Sequence, residues 1–307
     1  MSLQGSAKTD IKLEAVNVYF GTERCRDILF VDDVAGSLSG EYFDLNAIGS
    51  DLETETAYYV LLDNGSAVDP MPAGKTLISV SYTDNDTAAT IANALELALA
   101  PLDFNTELTG NTLRVENAYI GKVSDEDYSN AGSLTFTEQE AGKGGSLGAT
   151  AQGGSTLNME AQSVDLVSDQ TGSIIQGQVY TGSTASVDMT LIEMTKERWE
   201  SIIGSVTGDV FTPSGGGASR LVGYGESRLY QNLFDLGGKL ILHPIRLPNS
   251  DRSEDVIFWK SSPLPSSIQY SGQDIQGMEL SFVAYNDKNK PEEISLFAQG
   301  DWDQDLN

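Results

Sequence analysis

The sequence predicts a β-rich fold, α+β overall, in which a β-barrel or sandwich domain is interrupted by a small α+β insert. Three observations predict it. Short apolar runs of period two alternate with Gly, Ser, Thr and Asn, the pattern of many strands joined by turns. One amphipathic stripe of helical period, Ala88 to Leu99, stands among strands in the first third of the chain. The first strands form a segment too short to bury a core by itself, so they need the far C-terminal strands as partners.

The first segment, Ile11 to Phe20, alternates Ile11, Leu13 and Ala15 with Lys12 and Glu14, then shifts its apolar set to Val16, Val18 and Phe20. Such a phase change marks a bulge or a strand gaining cover on its second face. A second apolar run, Ile28 to Val31, ends at Asp32-Asp33 and is followed by the breakers Gly36-Ser37 and Ser39-Gly40.

Residues 38–140 read as the insert. Strands are expected at Tyr42 to Leu45, at Ala57 to Leu62, and where Thr76, Ile78, Val80 and Tyr82 share one face. Ala88, Ile91, Ala92, Leu95 and Leu99 then follow helical spacing, with Asp84, Asp86 or Thr87 as the cap and Pro101 as the stop. Strands Phe104 to Leu108 and Thr112 to Asn117 close the unit across Thr109-Gly110-Asn111.

The Gly-rich stretch from Gly142 to Ser155 reads as a linker, and it lacks the strand-to-helix setting of a phosphate-cradling loop. Beyond it, Val187, Met189 and Leu191 share a strand face, and Thr195 to Gly204 reads as a short helix capped by Thr195. Lys239 to Leu242, Val256 to Trp259 and Met278 to Tyr285 complete the strands. The expected division is therefore residues 1–37 with 141–307 as the β-domain and 38–140 as the insert.

With Lys and Arg totalling 18 against 45 Asp and Glu, the net charge is −27, which repels nucleic acid and anionic membranes. It fits simple solubility, and equally a wall that lets a polyanion pass without holding it. No segment has the apolar length of a membrane span, and the start of the chain lacks a signal-peptide pattern, so export by a standard route is not expected. A single cysteine, Cys25, excludes an intrachain disulfide framework.

Catalytic signatures are not expected, and no catalytic, cofactor-binding or metal-binding residue is assigned. The lone histidine, His243, reads as a satisfied strand-edge residue, and no G-x-S-x-G elbow occurs. The acidic runs Asp84-Asn85-Asp86, Asp125-Glu126-Asp127 and Asp301 to Asp305 are candidate calcium loops, yet solvated loops explain them better. Trp199, Phe258 and Trp259 read as core or subunit-contact groups.

Several segments carry a family resemblance. Asn232 to Leu240 leading to Leu242-His243-Pro244, Asp251 to Asp255 with Phe258-Trp259-Lys260, the link at Pro263 and Pro265, Met278 to Lys288, and the opening Glu14 to Gly21 together resemble the tail tube (major tail) proteins of bacteriophages. The insert, with Tyr42-Phe43, Tyr58-Tyr59-Val60, Asp69-Pro70, Gly74-Lys75-Thr76 and Thr87-Ala88-Ala89, resembles a small domain inserted in various phage structural proteins. An insert of that size is a departure from a minimal tube subunit. The resemblance implies rings, commonly hexameric, whose inner strands line a DNA channel, with stacking through loops and arms. It implies self-association, contact with other tail proteins, DNA passing without specific binding, no membrane, and a place in the virion tail after synthesis in the host cytoplasm. Edge strands are then expected to be completed by neighbouring subunits. The rival readings are an acidic surface-layer or adhesin-like β-protein, or another virion structural or neck protein.

Overall fold

A computed structural model describes residues 7–13, 15–167, 175–192, 195, 198–199, 202, 210–211, 221–222, 230–269 and 277–302. The fold is β-rich and α+β in class. Two compact units divide the chain: residues 1–19 with 147–307, and residues 20–146.

In the outer unit, one sheet carries β1 (Ala7–Leu13), β2 (Val16–Thr22), β10 (Lys143–Val167), β11 (Ile175–Leu191), β14 (Gly238–Pro244), β15 (Val256–Gln269), β16 (Gly277–Ala284) and the short β17 (Ala298–Gln299). Its order is β1-β10-β11-β16-β15-β14-β2, with β17 on β15. Because β2 also pairs with β10, the order returns on itself and six strands close a ring within one chain. The expected completion by a neighbour is thus not needed for this closure. Leu157, Val187, Met189, Leu191, Met278, Leu280 and Phe282 are buried along it. The apolar set changes phase in the sequence where β1 gives way to β2. A helical turn, α2 (Leu233–Leu236), is capped by Asn232, whose side chain accepts from the Phe234 N–H. A two-stranded pair, β12 (Val210–Phe211) and β13 (Leu221–Val222), stands apart.

Of the short helix expected at residues 195–204, Thr195, Arg198, Trp199 and Ile202 are described and the others lie outside the described residues. The Trp199 N–H donates to the Thr195 carbonyl at 3.0 Å and the Arg198 N–H to the Thr195 hydroxyl at 3.3 Å.

The inner unit holds β3 (Cys25–Leu29), β4 (Tyr42–Ile48), β5 (Glu55–Asp63), β6 (Thr76–Ser81), α1 (Ala88–Leu99), β7 (Phe104–Thr109), β8 (Thr112–Asn117) and β9 (Thr135–Glu140). They form the sheets β7-β8-β3-β9 and β4-β5-β6. β4 and β5 are antiparallel, β5 and β6 parallel. The helix buries Ala88, Ile91, Ala92, Leu95 and Leu99, the stripe that spacing predicts, and Thr87 caps it by accepting the Thr90 N–H at 3.3 Å. These side chains join Phe43, Leu45, Val60, Ile78, Leu113 and Val115 in one core.

Two expectations are corrected. The run beginning at Ile28 was assigned to the β-domain, with the insert opening at residue 38; instead β3 pairs with β8 and β9, and the first junction lies between residues 19 and 20. Ile28 and Phe30 are fully buried in the inner core, so packing decides the assignment. From Lys143 onward the expected linker, Gly142 to Ser155, lies within the longest described strand, β10. Gly144 serves close backbone contact: a Cβ there would lie 1.9 Å from the Phe20 carbonyl oxygen.

Candidate functional site

The sequence drew attention to His243 and the acidic runs, and the structure shows what each contacts. His243 sits near the end of β14 and is fully buried. Its Nδ1 lies 2.6 Å from Asp255 Oδ1 and its Nε2 3.3 Å from the Leu247 carbonyl. Asp255, also fully buried, accepts from Trp302 Nε1 at 3.0 Å and from Arg252 Nη1 at 3.4 Å on its other oxygen. The guanidinium of Arg252 lies 5.8 Å from the Trp302 ring centroid. These contacts join the strand ends of β14 and β15 to the C-terminal segment. Trp259 and Phe258 are buried too: Trp259 donates to the Ile294 carbonyl at 2.9 Å, and Phe258 stacks on Phe297.

The acidic runs knit loops through backbone donors. Asp86 accepts the Thr83 N–H at 2.7 Å, and Asp84 accepts the Asn64 amide at 2.6 Å. Asp33, almost fully buried, accepts the N–H groups of Gly36, Leu38 and Asn85 at 2.8–3.0 Å. Burial would raise its carboxyl, but these backbone donors outweigh it and hold it below the usual range. Glu126 pairs with the fully buried Arg26 and also accepts from Tyr128 and from the Asn46 N–H. Burial would lower the Arg26 guanidinium, but the Glu126 charge keeps it raised. Asp303, Gln304 and Asp305 lie outside the described residues. Among the described residues, no group of three or more His, Cys, Asp or Glu side chains is arranged to hold a metal ion.

The surface with the most distinctive chemistry is the solvent face of β10, β11 and β16. Register places Thr156 beside Asp188 and Asp188 beside Ser281, with Asn158 beside Ser186 and Thr190 beside Glu279. Alternation turns their neighbours Leu157, Val187, Met189, Leu280 and Phe282 into the core. An open groove of about 430 Å³ runs over this face, lined by Thr156, Asp188, Thr190, Glu279 and Ser281. No Lys, Arg or His occurs between residues 144 and 195. Among the described residues, the lysines in register with the face come from β1, where Lys8 pairs with Glu160 and Lys12 with Thr156.

The β10–β11 hairpin also outruns its neighbours. β1 reaches β10 at Ala161, and β16 reaches β11 at Ser186. Beyond those points the two described strands pair with each other. Val164 pairs with Val179, Leu166 faces Gly177, and Ile175 shares that face by alternation. Leu166, Ile175 and Val179 are 47–52% exposed, an apolar row uncovered in the single chain, and Tyr180, 63% exposed, lies on the opposite face. Sequence reasoning missed this ribbon because its base was read as a linker. The stretch from residue 144 to 195, with five acids and no basic residue, was the available signal. No family model matches the chain, and no curated protein matches it significantly.

Proposed function

We propose that the chain is a structural subunit of a bacteriophage tail tube that assembles into stacked rings around a DNA channel. The observation that carries this reading is the β10–β11 ribbon, which among the described residues has no further strand beside it and bears an uncovered apolar row. Such a ribbon is a template for pairing with another chain, and a copy of the same chain is the partner always at hand. The closed six-stranded ring gives it a rigid base, and the resemblance of both terminal segments to tube subunits points to the same role. In this reading the polar face bearing Asp188 and Glu279 lines the channel. Carboxylates there repel the DNA backbone, so the genome slides without specific binding. Other tail proteins meet the end rings, and the protein resides in the virion tail.

Negative-stain microscopy with sedimentation velocity of the purified chain tests this. Stacked rings or tubes are expected. Monomers persisting at high concentration across all salt conditions overturn the reading.

A further inference from the structure

The β10–β11 hairpin gives Asp188 and Asp165 amide partners that satisfy them without neutralising them. Asn158 Nδ2 donates to Asp188 Oδ2 at 2.7 Å, and Gln178 Nε2 donates to Asp165 Oδ1 at 2.8 Å. Both contacts cross from one strand to the other, where a lysine would form an ion pair and cancel the charge. An amide fills the hydrogen bond and leaves the charge in place. Between residues 144 and 195 the chain has five acids and no base. Asp165 and Gln178 lie on the ribbon that carries the row of Val164, Leu166, Ile175 and Val179, on its opposite face, and Asp188 lies at the ribbon's base, where β11 still pairs with β16. Charges beside such a row are what keeps a sticky edge from pairing at random.

We propose that this hairpin is an electrostatic latch on self-association: Asp165 and Asp188 hold copies of the chain apart at low ionic strength, and salt releases them. The inference rests on the self-assembly reading and names what regulates it. Charges on the hairpins of approaching copies act over the Debye length, which is about 30 Å at 0.01 M salt and about 3 Å at 1 M. Repulsion therefore reaches across the approaching hairpins at the lower limit and is confined to direct contact at the upper.

The test is sedimentation velocity of the full chain from about 10 mM to about 1 M NaCl, the range over which screening changes most. Wild type should pass from monomer to assembly as salt rises. Asp165→Asn with Asp188→Asn removes two charges at nearly constant shape and should assemble at several-fold lower salt. Asn158→Lys with Gln178→Lys, which turns the same contacts into ion pairs, should do likewise. Asp125→Asn with Glu140→Gln removes two exposed charges from the inner unit and should leave the threshold where it was. An equal shift in that control makes net charge the cause and overturns the latch. Assembly indifferent to salt, or weakened by it, overturns the latch while sparing the self-assembly reading. Monomers at every salt in wild type and both hairpin variants overturn the two together.

Discussion

Gly21 and Gly144 lie back to back where β2 runs beside β10: a Cβ on Gly21 would sit 1.9 Å from the Lys143 carbonyl oxygen, and one on Gly144 would sit 1.9 Å from that of Phe20. Neither backbone can yield without breaking the pairing. Gly144 also adopts a φ of 80°, where an L side chain is strained. Gly144→Ala should therefore cost more than Gly21→Ala, with both near or above the roughly 1–3 kcal/mol typical of overpacking. Urea unfolding followed by circular dichroism measures the difference. Wild-type midpoints in both variants would refute the close approach.

The paired course of β2 and β10 makes a second prediction about the inner unit. Both junctions, residues 19/20 and 146/147, fall inside these strands, so the ends of residues 20–146 are held close together. The unit also has its own core of Ile28, Phe43, Val60, Ile91, Leu95 and Leu113. A fragment of residues 20–146 should fold alone, since a separate core and adjacent termini mark an autonomous domain. Dispersed amide resonances and one cooperative melt are expected. A spectrum of unfolded type would show that the core needs the remaining chain.

Asp33 gives a pH dependence with a definite sign. Its folded carboxyl is held below the reference value of 3.8, because backbone N–H groups outweigh burial. A depressed folded pKa contributes stability above the unfolded value, and that stability is lost as pH falls through the folded one. Wild type should thus lose stability on acidification below about pH 4, where an unfolded aspartate takes up its proton. Asp33→Ala should remove part of that slope. It should also orphan three backbone donors, at about 1–3 kcal/mol for a buried group left unpaired. Denaturant midpoints between neutral pH and about pH 3 check both. An unchanged slope would mean that Asp33 is not among the groups responsible.

What could be read from the sequence follows the range of the interactions. The stripe from Ala88 to Leu99 is set by neighbours three and four residues apart, and each of its apolar positions is buried. Val187, Met189 and Leu191 were similarly legible, since alternation is local. Partner choice was not. Nothing near Ile28 says that its strand pairs with residues 112–117 and 135–140 rather than with the outer strands. The run Gly142 to Gly148 looks flexible by composition, yet close backbone approach by Phe20 and Gly21 makes glycine a requirement at Gly144. The candidate site shares that difficulty. Asn158 and Asp188 stand thirty residues apart and become a pair only through the register of β10 with β11.

The contacts around Asp255 yield the last prediction. His243, Arg252 and Trp302 reach one carboxylate from three separate positions in the chain, and all four residues are buried. Removing the acceptor takes a charged partner from the buried Arg252, His243 and Trp302 together. Breaking a buried charge pair from one side costs about 3–5 kcal/mol, so Asp255→Ala should unfold at markedly lower urea. Trp302→Phe keeps an aromatic surface for Arg252 but loses one bond to a charged acceptor, about 1.5–3 kcal/mol. The Trp302→Phe variant combined with Asp255→Ala should be little worse than Asp255→Ala alone, since the bond is already gone. Full additivity in that cycle would show that Trp302 stabilises the C-terminal segment without Asp255, and the carboxylate would then not be the point at which these elements are tied.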